Sequence, residues 1–172
     1  MAKRAQDKKA AFEVGQHVVY PAHGVGTITG VEKESVAGID FEVYVVSFEQ
    51  DKMILRVPTA RAVASGMRAL AGSKLVDDAL RTLGGRARIK RTMWSRRAQE
   101  YEAKINSGDL ISIAEVVRDL HRAEDQPEQS YSERQLYESA LDRMARELAA
   151  VENIDRDEAI ERLASSLAKK AA

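Results

Sequence analysis

Six cations fall within the twelve residues Arg86-Ala-Arg88-Ile-Lys90-Arg91-Thr-Met-Trp94-Ser-Arg96-Arg97, and no acid interrupts them. Cations at this density neutralise phosphates and release their counterions. The only tryptophan of the chain stands among them, directly before a predicted helix start. A large flat apolar ring beside cations suits DNA where bases unstack, because it can wedge or stack there. A helix N-terminus adds free N–H groups and a positive dipole end for a phosphate. The same residues also admit a blander description, a solvated loop followed by a tryptophan that fills a helical core. Charge density and position favour nucleic-acid contact, with Arg86, Arg88, Lys90, Arg91, Trp94, Arg96 and Arg97 as the candidate residues.

The charge map sharpens this. The 172 residues carry a formal net charge of zero, but the charges are segregated. Residues 52–97 hold 12 basic and 2 acidic residues, whereas 1–51 hold 5 and 8, and 98–172 hold 10 and 17. A neutral pI hides a strongly basic middle, and regional asymmetry of this kind points to nucleic acid. At 44% hydrophobic and 31% charged the composition is that of an ordinary soluble globular protein. The lack of cysteine excludes disulfides and thiolate metal sites. No apolar run approaches the roughly 18 residues of a membrane span, and the start Met1-Ala-Lys-Arg has no apolar stretch behind it. A cytoplasmic monomer is the expectation, with no membrane partner and no cofactor.

The elements that must position these residues are of two kinds. Residues 1–11 are polar, basic and alanine-rich, and read as a disordered tail. His17-Val-Val-Tyr-Pro21, Gly24–Val31, the period-2 run from Ile39 to Val45, and Lys52–Pro58 read as strands. Glycines at 24, 26 and 30 suggest bulges or tight curvature. Four or five short antiparallel strands predict a small curved barrel of the Tudor or SH3 kind over 12–66. From 67 to 172 the period becomes helical, giving an α+β chain whose second module has about five helices. Ser73 is the expected first cap, Thr92 or Ser95 the second, Asp109 the third; Ser132-x-x-Gln135 reads as a capping box and Asp155-x-x-Glu158 opens the last helix.

Other candidates are weaker. Arg56 alternates with Leu55 and Val57, so period 2 sends its side chain to the opposite strand face. A solvated strand arginine is the commoner case, and a cation on a partner-binding face the sharper one. His17, His23 and His121 match no zinc spacing. No Walker A sequence, Gly-x-Ser-x-Gly, His-Glu-x-x-His or dinucleotide fingerprint occurs, so nothing argues for an enzyme. The terminal Ala171-Ala172 resembles the small apolar tails read by ClpX-type proteases, and is the candidate degradation signal; a frayed helix end is the alternative.

Four stretches together resemble the CarD family of bacterial transcription regulators, specifically its CarD/CdnL-like group. They are Phe12-Glu-Val-Gly-Gln-His-Val-Val-Tyr-Pro-Ala-His-Gly24, Leu55-Arg-Val-Pro58, Trp94-Ser-Arg-Arg97, and Ser107-Gly-Asp through Ala114-Glu-Val-Val-Arg-Asp-Leu120. They span both modules, from Phe12 to about Val151. The resemblance implies an N-terminal Tudor-like module that binds the β subunit of bacterial RNA polymerase. It also implies a helical module that contacts promoter DNA at the upstream edge of the melted bubble and stabilises the open complex. Position by position, Arg56 would touch polymerase, Trp94 would be the minor-groove wedge, and Arg96 and Arg97 would meet phosphates.

Two positions depart from the family pattern. Where some members carry a polymerase-binding arginine, this chain has Lys33-Glu34, and Lys33, with Ile54 on the fourth strand, is the further candidate for polymerase contact. Where some carry a lysine after the paired arginines, this chain has Gln99, and the cluster Arg86, Arg88, Lys90 and Arg91 would compensate. The competing function is an architectural or repair-associated DNA binder that does not need polymerase.

Overall fold

The computed structural model describes residues 12–122 and 126–168. The expectations for the tail 1–11 and for Ala171 and Ala172 therefore lie outside the described residues. Five strands come first: β1 His17–Tyr20, β2 Gly24–Val36, β3 Ile39–Phe48, β4 Met53–Pro58 and β5 Arg68–Ala69. Five helices follow: α1 Ser73–Leu83, α2 Trp94–Asn106, α3 Leu110–Leu120, α4 Tyr131–Glu152 and α5 Arg156–Ala168. The order is the expected α+β arrangement. The chain forms two compact units, one ending at Tyr20 and resuming over Val25–Ala69, the other made of Pro21–Gly24 and everything from Leu70 onward.

In the first unit the strands pair in the order β4-β3-β2-β1-β5. The expected antiparallel module is present, but its sheet stays open, with β4 and β5 at the two edges. β5 has only two residues and pairs with β1 alone. Phe12, Val18, Ile28, Tyr44, Val46, Phe48, Val57, Ala62 and Met67 form the core. Full burial of each large apolar side chain contributes roughly 1.5–3 kcal/mol. Two glycines explain how β2 runs. A Cβ on Gly26 would come within 2.8 Å of Phe48 and Val46, so the aromatic ring packs directly on backbone. Between Ile28 and Gly30 the register with β3 shifts by one residue, the bulge that glycine in a strand suggests. Beyond it β2 continues to Val36 and turns through Ala37 and Gly38, both at positive φ, as a two-residue hairpin of the primed type requires.

The second unit buries one face of each helix around Leu83, Val116, Val117, Leu120 and Leu163. Asp109 accepts from Ser112 N at 3.2 Å and caps α3 as expected, and Asp155 accepts from Glu158 N at 2.8 Å before α5. Three expected caps are displaced. Gly72, not Ser73, precedes α1, and Met93 precedes α2, where neither Thr92 nor Ser95 supplies a cap bond. The cap of α4 is Ser130, which accepts from Glu133 N; Ser132 is already inside the helix. No helix among the described residues is long and apolar enough to cross a membrane.

Candidate functional site

The basic segment joins α1 to α2, and its backbone is tethered at its start and midway. Gly84 N and Gly85 N donate back to Arg81 O and Thr82 O, closing α1. Midway, Arg88 N donates to Asp119 Oδ1 at 2.9 Å, and the same oxygen accepts from Arg118 Nε at 2.9 Å. Asp119 is only 3% exposed, so this carboxylate is an interior anchor for the segment. The anchor uses the main chain of Arg88 and leaves its side chain in solvent. Arg86, Arg88, Arg91 and Arg96 are all exposed, and among the described residues none of them has a carboxylate partner. Lys90 differs: its Nζ lies 3.5 Å from Glu100 Oε2. Both ends of that pair are exposed, where such pairs contribute about 0–1 kcal/mol.

The start of α2 carries free N–H groups, because Met93 offers no side-chain cap. Arg91, Thr92, Met93, Ser95, Arg96 and Gln99 line a shallow concave surface there. Two unpaired guanidinium groups and a helix N-terminus thus share one depression, a suitable seat for phosphate. Met93, which sequence reasoning misses, is 78% exposed at this site. Its signal is an apolar residue flanked by cations, but methionine is ordinarily core material. Gln99, where the resemblance implies a lysine in some relatives, lines the same surface.

Trp94 is not the bare wedge that its position suggests. Its ring is partly buried and packs against the helical core. Nε1 donates to Ser132 Oγ on α4 at 3.0 Å. Arg97, expected as a phosphate contact, is partly buried as well. Its guanidinium lies 5.4 Å from the Trp94 ring and 5.8 Å from the Tyr101 ring, and Nη2 donates to Tyr101 Oη at 3.3 Å. The stretch carrying Ser132 is held independently. Arg122 pairs with Glu133 at 3.3 Å, and His121 Nδ1 lies 3.0 Å from Tyr137 Oη. Burial pushes the Tyr137 phenol above its ordinary pKa.

In the strand unit, Leu55 and Val57 point to the core and Arg56 to the outer face, opposite Val45 of β3. Arg56 Nη2 lies 3.4 Å from Glu32 Oε2, and its Nε 3.5 Å from Glu34 Oε1, so it reaches two acids of β2 from β4. Val43 and Val45 of β3 are buried, leaving the charged triad and Ile54, 66% exposed, to form the solvent surface. Ile54 and Arg56 share this face. Lys33 does not: it stands opposite Glu42, out of phase with Glu32 and Glu34, and projects to the other side of the sheet. The register thus joins two of the three expected polymerase contacts and separates the third, and it adds Glu32 and Glu34.

His17 Nδ1 lies 3.1 Å from Thr27 Oγ1, a strand-pairing role. No group of three or more His, Asp or Glu suited to a metal occurs among the described residues.

Family models match both units. That of the CarD C-terminal domain covers residues 78–164, and that of the CarD-like/TRCF RID domain covers 12–70. A Bacillus subtilis (strain 168) protein described as "Putative transcription factor YdeB" is 25% identical over 143 residues, covering 83% of this chain and 94% of its own. The solution structure of the 72-residue N-terminal domain of Myxococcus xanthus CarD is 31% identical, with a TM-score of 0.30, over 34% of this chain and 77% of that one.

Proposed function

The chain belongs to the CarD family of transcription regulators, and from that premise we propose that its two units act together on RNA polymerase and promoter DNA during initiation. The outer face of the sheet docks on the polymerase β subunit through its edge strand β4, which carries Arg56 and Ile54. The helical unit meets the upstream edge of the melted bubble. There Arg86, Arg88, Arg91 and Arg96 contact phosphates, and Trp94 lies against the unstacked step in the minor groove. The observation that carries this reading is the run of four exposed arginines without acidic partners before and on the first turn of α2, two of which, Arg91 and Arg96, line the surface at its uncapped start.

The mechanism is differential affinity. Protein that binds melted, kinked DNA better than closed duplex shifts the equilibrium by that difference alone. Unstacking a step costs a few kcal/mol, and an apolar ring against the exposed base face offsets part of it. Four phosphate contacts alone would give weak, salt-sensitive, sequence-tolerant binding. Tethering through the sheet unit raises the local concentration of the helical unit at the promoter, so weak contacts suffice.

The test is the lifetime of the open complex with and without the protein, next to its affinity for free DNA. The lifetime should lengthen, and binding to free duplex should be weak. Tight binding to free duplex, with no effect on open-complex lifetime, would favour a polymerase-independent architectural binder.

A further inference from the structure

Resting on the reading of Trp94 as the DNA-facing ring, we propose that Ser132 and Arg97 are positioning residues that hold the indole in a cradle between α2 and α4. In this arrangement Arg97 acts through Trp94 and not through phosphate.

The cradle follows from spacing on one helix and a contact from another. Trp94, Arg97 and Tyr101 lie at i, i+3 and i+7, so they share one face of α2. Tyr101 is buried in the helical core and forms the floor. Trp94 and Tyr101 have ring centroids 6.3 Å apart, with the guanidinium of Arg97 within 6 Å of both. Arg97 Nε is buried with no hydrogen-bond partner. A guanidinium held in that way is placed by its cation–π contacts with the two rings and by its bond to Tyr101, with Nε and Nη2 turned inward. A phosphate contact needs the opposite, an open fork of N–H donors.

Ser132 closes the other side. Indole has a single donor and no acceptor, and that donor is spent on Ser132 Oγ. Trp94 therefore presents carbon and not N–H to whatever covers it. The contact it makes with a base step is apolar and indifferent to base identity, so discrimination comes from how readily the step unstacks. Ser132 is available for this role because Ser130 caps α4. The Arg122–Glu133 pair ties the same turn to the residues after α3 without using Trp94.

Trp94 is the only tryptophan of the chain, so its fluorescence reports the cradle without labels. The experiment compares Ser132→Ala, Ser132→Thr, Arg97→Lys and Trp94→Ala in the full chain. The readouts are acrylamide quenching of the free protein and open-complex half-life with polymerase and promoter DNA. Lysine keeps the charge of Arg97 but not the planar stack. Ser132→Ala and Arg97→Lys should each raise the quenching constant and shorten the half-life by about 3-fold, the scale of a single hydrogen bond, while Ser132→Thr stays close to wild type. A wild-type half-life for Arg97→Lys, with Ser132→Ala unchanged in quenching, would overturn the cradle and return Arg97 to the phosphates. Raised quenching with no change in half-life would also overturn it, since the indole's placement would then not matter to DNA. If Trp94→Ala itself leaves the half-life unchanged, the DNA role of the ring fails and the cradle's function with it. Should Arg97→Lys not fold, the Ser132 pair decides alone.

Discussion

Arg56 on β4 and Arg91 before α2 are both exposed arginines, and they are held in opposite ways. Arg56 sits between two glutamates on a paired strand, above buried valines, so its fork is oriented before any partner arrives. Arg91, like Arg86, Arg88 and Arg96, has a tethered main chain nearby and no acid to orient its head. A fixed, partly neutralised cation suits a partner with one surface shape, a protein. Several unneutralised cations on a short segment suit a uniform polyanion, where each finds a phosphate and none must find a particular one. On the proposed function, the molecule would separate a site for specificity from a site for charge.

The largest effect is expected at the tether of the basic segment. Asp119→Ala removes the acceptor shared by Arg88 N and Arg118 Nε. Removing one partner of a buried charged pair should cost about 3–5 kcal/mol, read as a fall of roughly 10 °C in Tm. An unchanged melting curve would show that the carboxylate anchors nothing.

Arg56→Glu should come next. It places a third acid beside Glu32 and Glu34 on the face proposed to meet polymerase. Binding should weaken at least about 30-fold, the scale of a central interface residue, with the melting temperature unchanged because the pairs are exposed. Near-normal capture of the β subunit by the variant would move the polymerase contact elsewhere.

The charge site should instead respond by accumulation. Replacing Arg86, Arg88, Arg91 and Arg96 by Gln should lower the log–log salt slope of DNA binding by roughly 0.9 for each phosphate that is no longer neutralised. Within the same segment, Lys90→Gln should change DNA affinity less than Arg91→Gln, because Lys90 already has Glu100 and must leave it. Equal effects would mean that the pair is not populated in solution. The smallest effect is assigned to Lys33→Ala. The side chain is on the other side of the sheet from Arg56, and polymerase affinity should stay within about 2-fold, the range of a surface substitution of ±0.5 kcal/mol.

Much of this is legible in the chain itself, and the gaps have physical causes. The strand-then-helix order follows from the change of period, and Arg56's outward direction follows from period 2. Sequence pattern does not carry the β2–β3 hairpin beyond Val31, because its turn is Ala-Gly, a weaker signal than Asn-Gly, and because acids and serine break the alternation of 32–36. The family pattern groups Lys33 with Arg56, but a bulge between Ile28 and Gly30 is invisible to counting; one extra residue reverses every later side chain. Ser132 looks like a cap because its spacing to Gln135 fits a capping box. Ser130, two residues earlier, competes for the same role and wins, which sets Ser132 free for the indole.

The segregation of charge, the α+β order and the outward aim of Arg56 were legible in the chain, because composition and local period depend only on neighbours along it. Which cations are neutralised depends on the folded arrangement. Glu100 answers Lys90, Glu32 and Glu34 answer Arg56, and Arg97 stacks with Trp94. Pairing energy falls within a few ångströms, and which groups come that close depends on register and helix packing, neither of which one strand or helix contains.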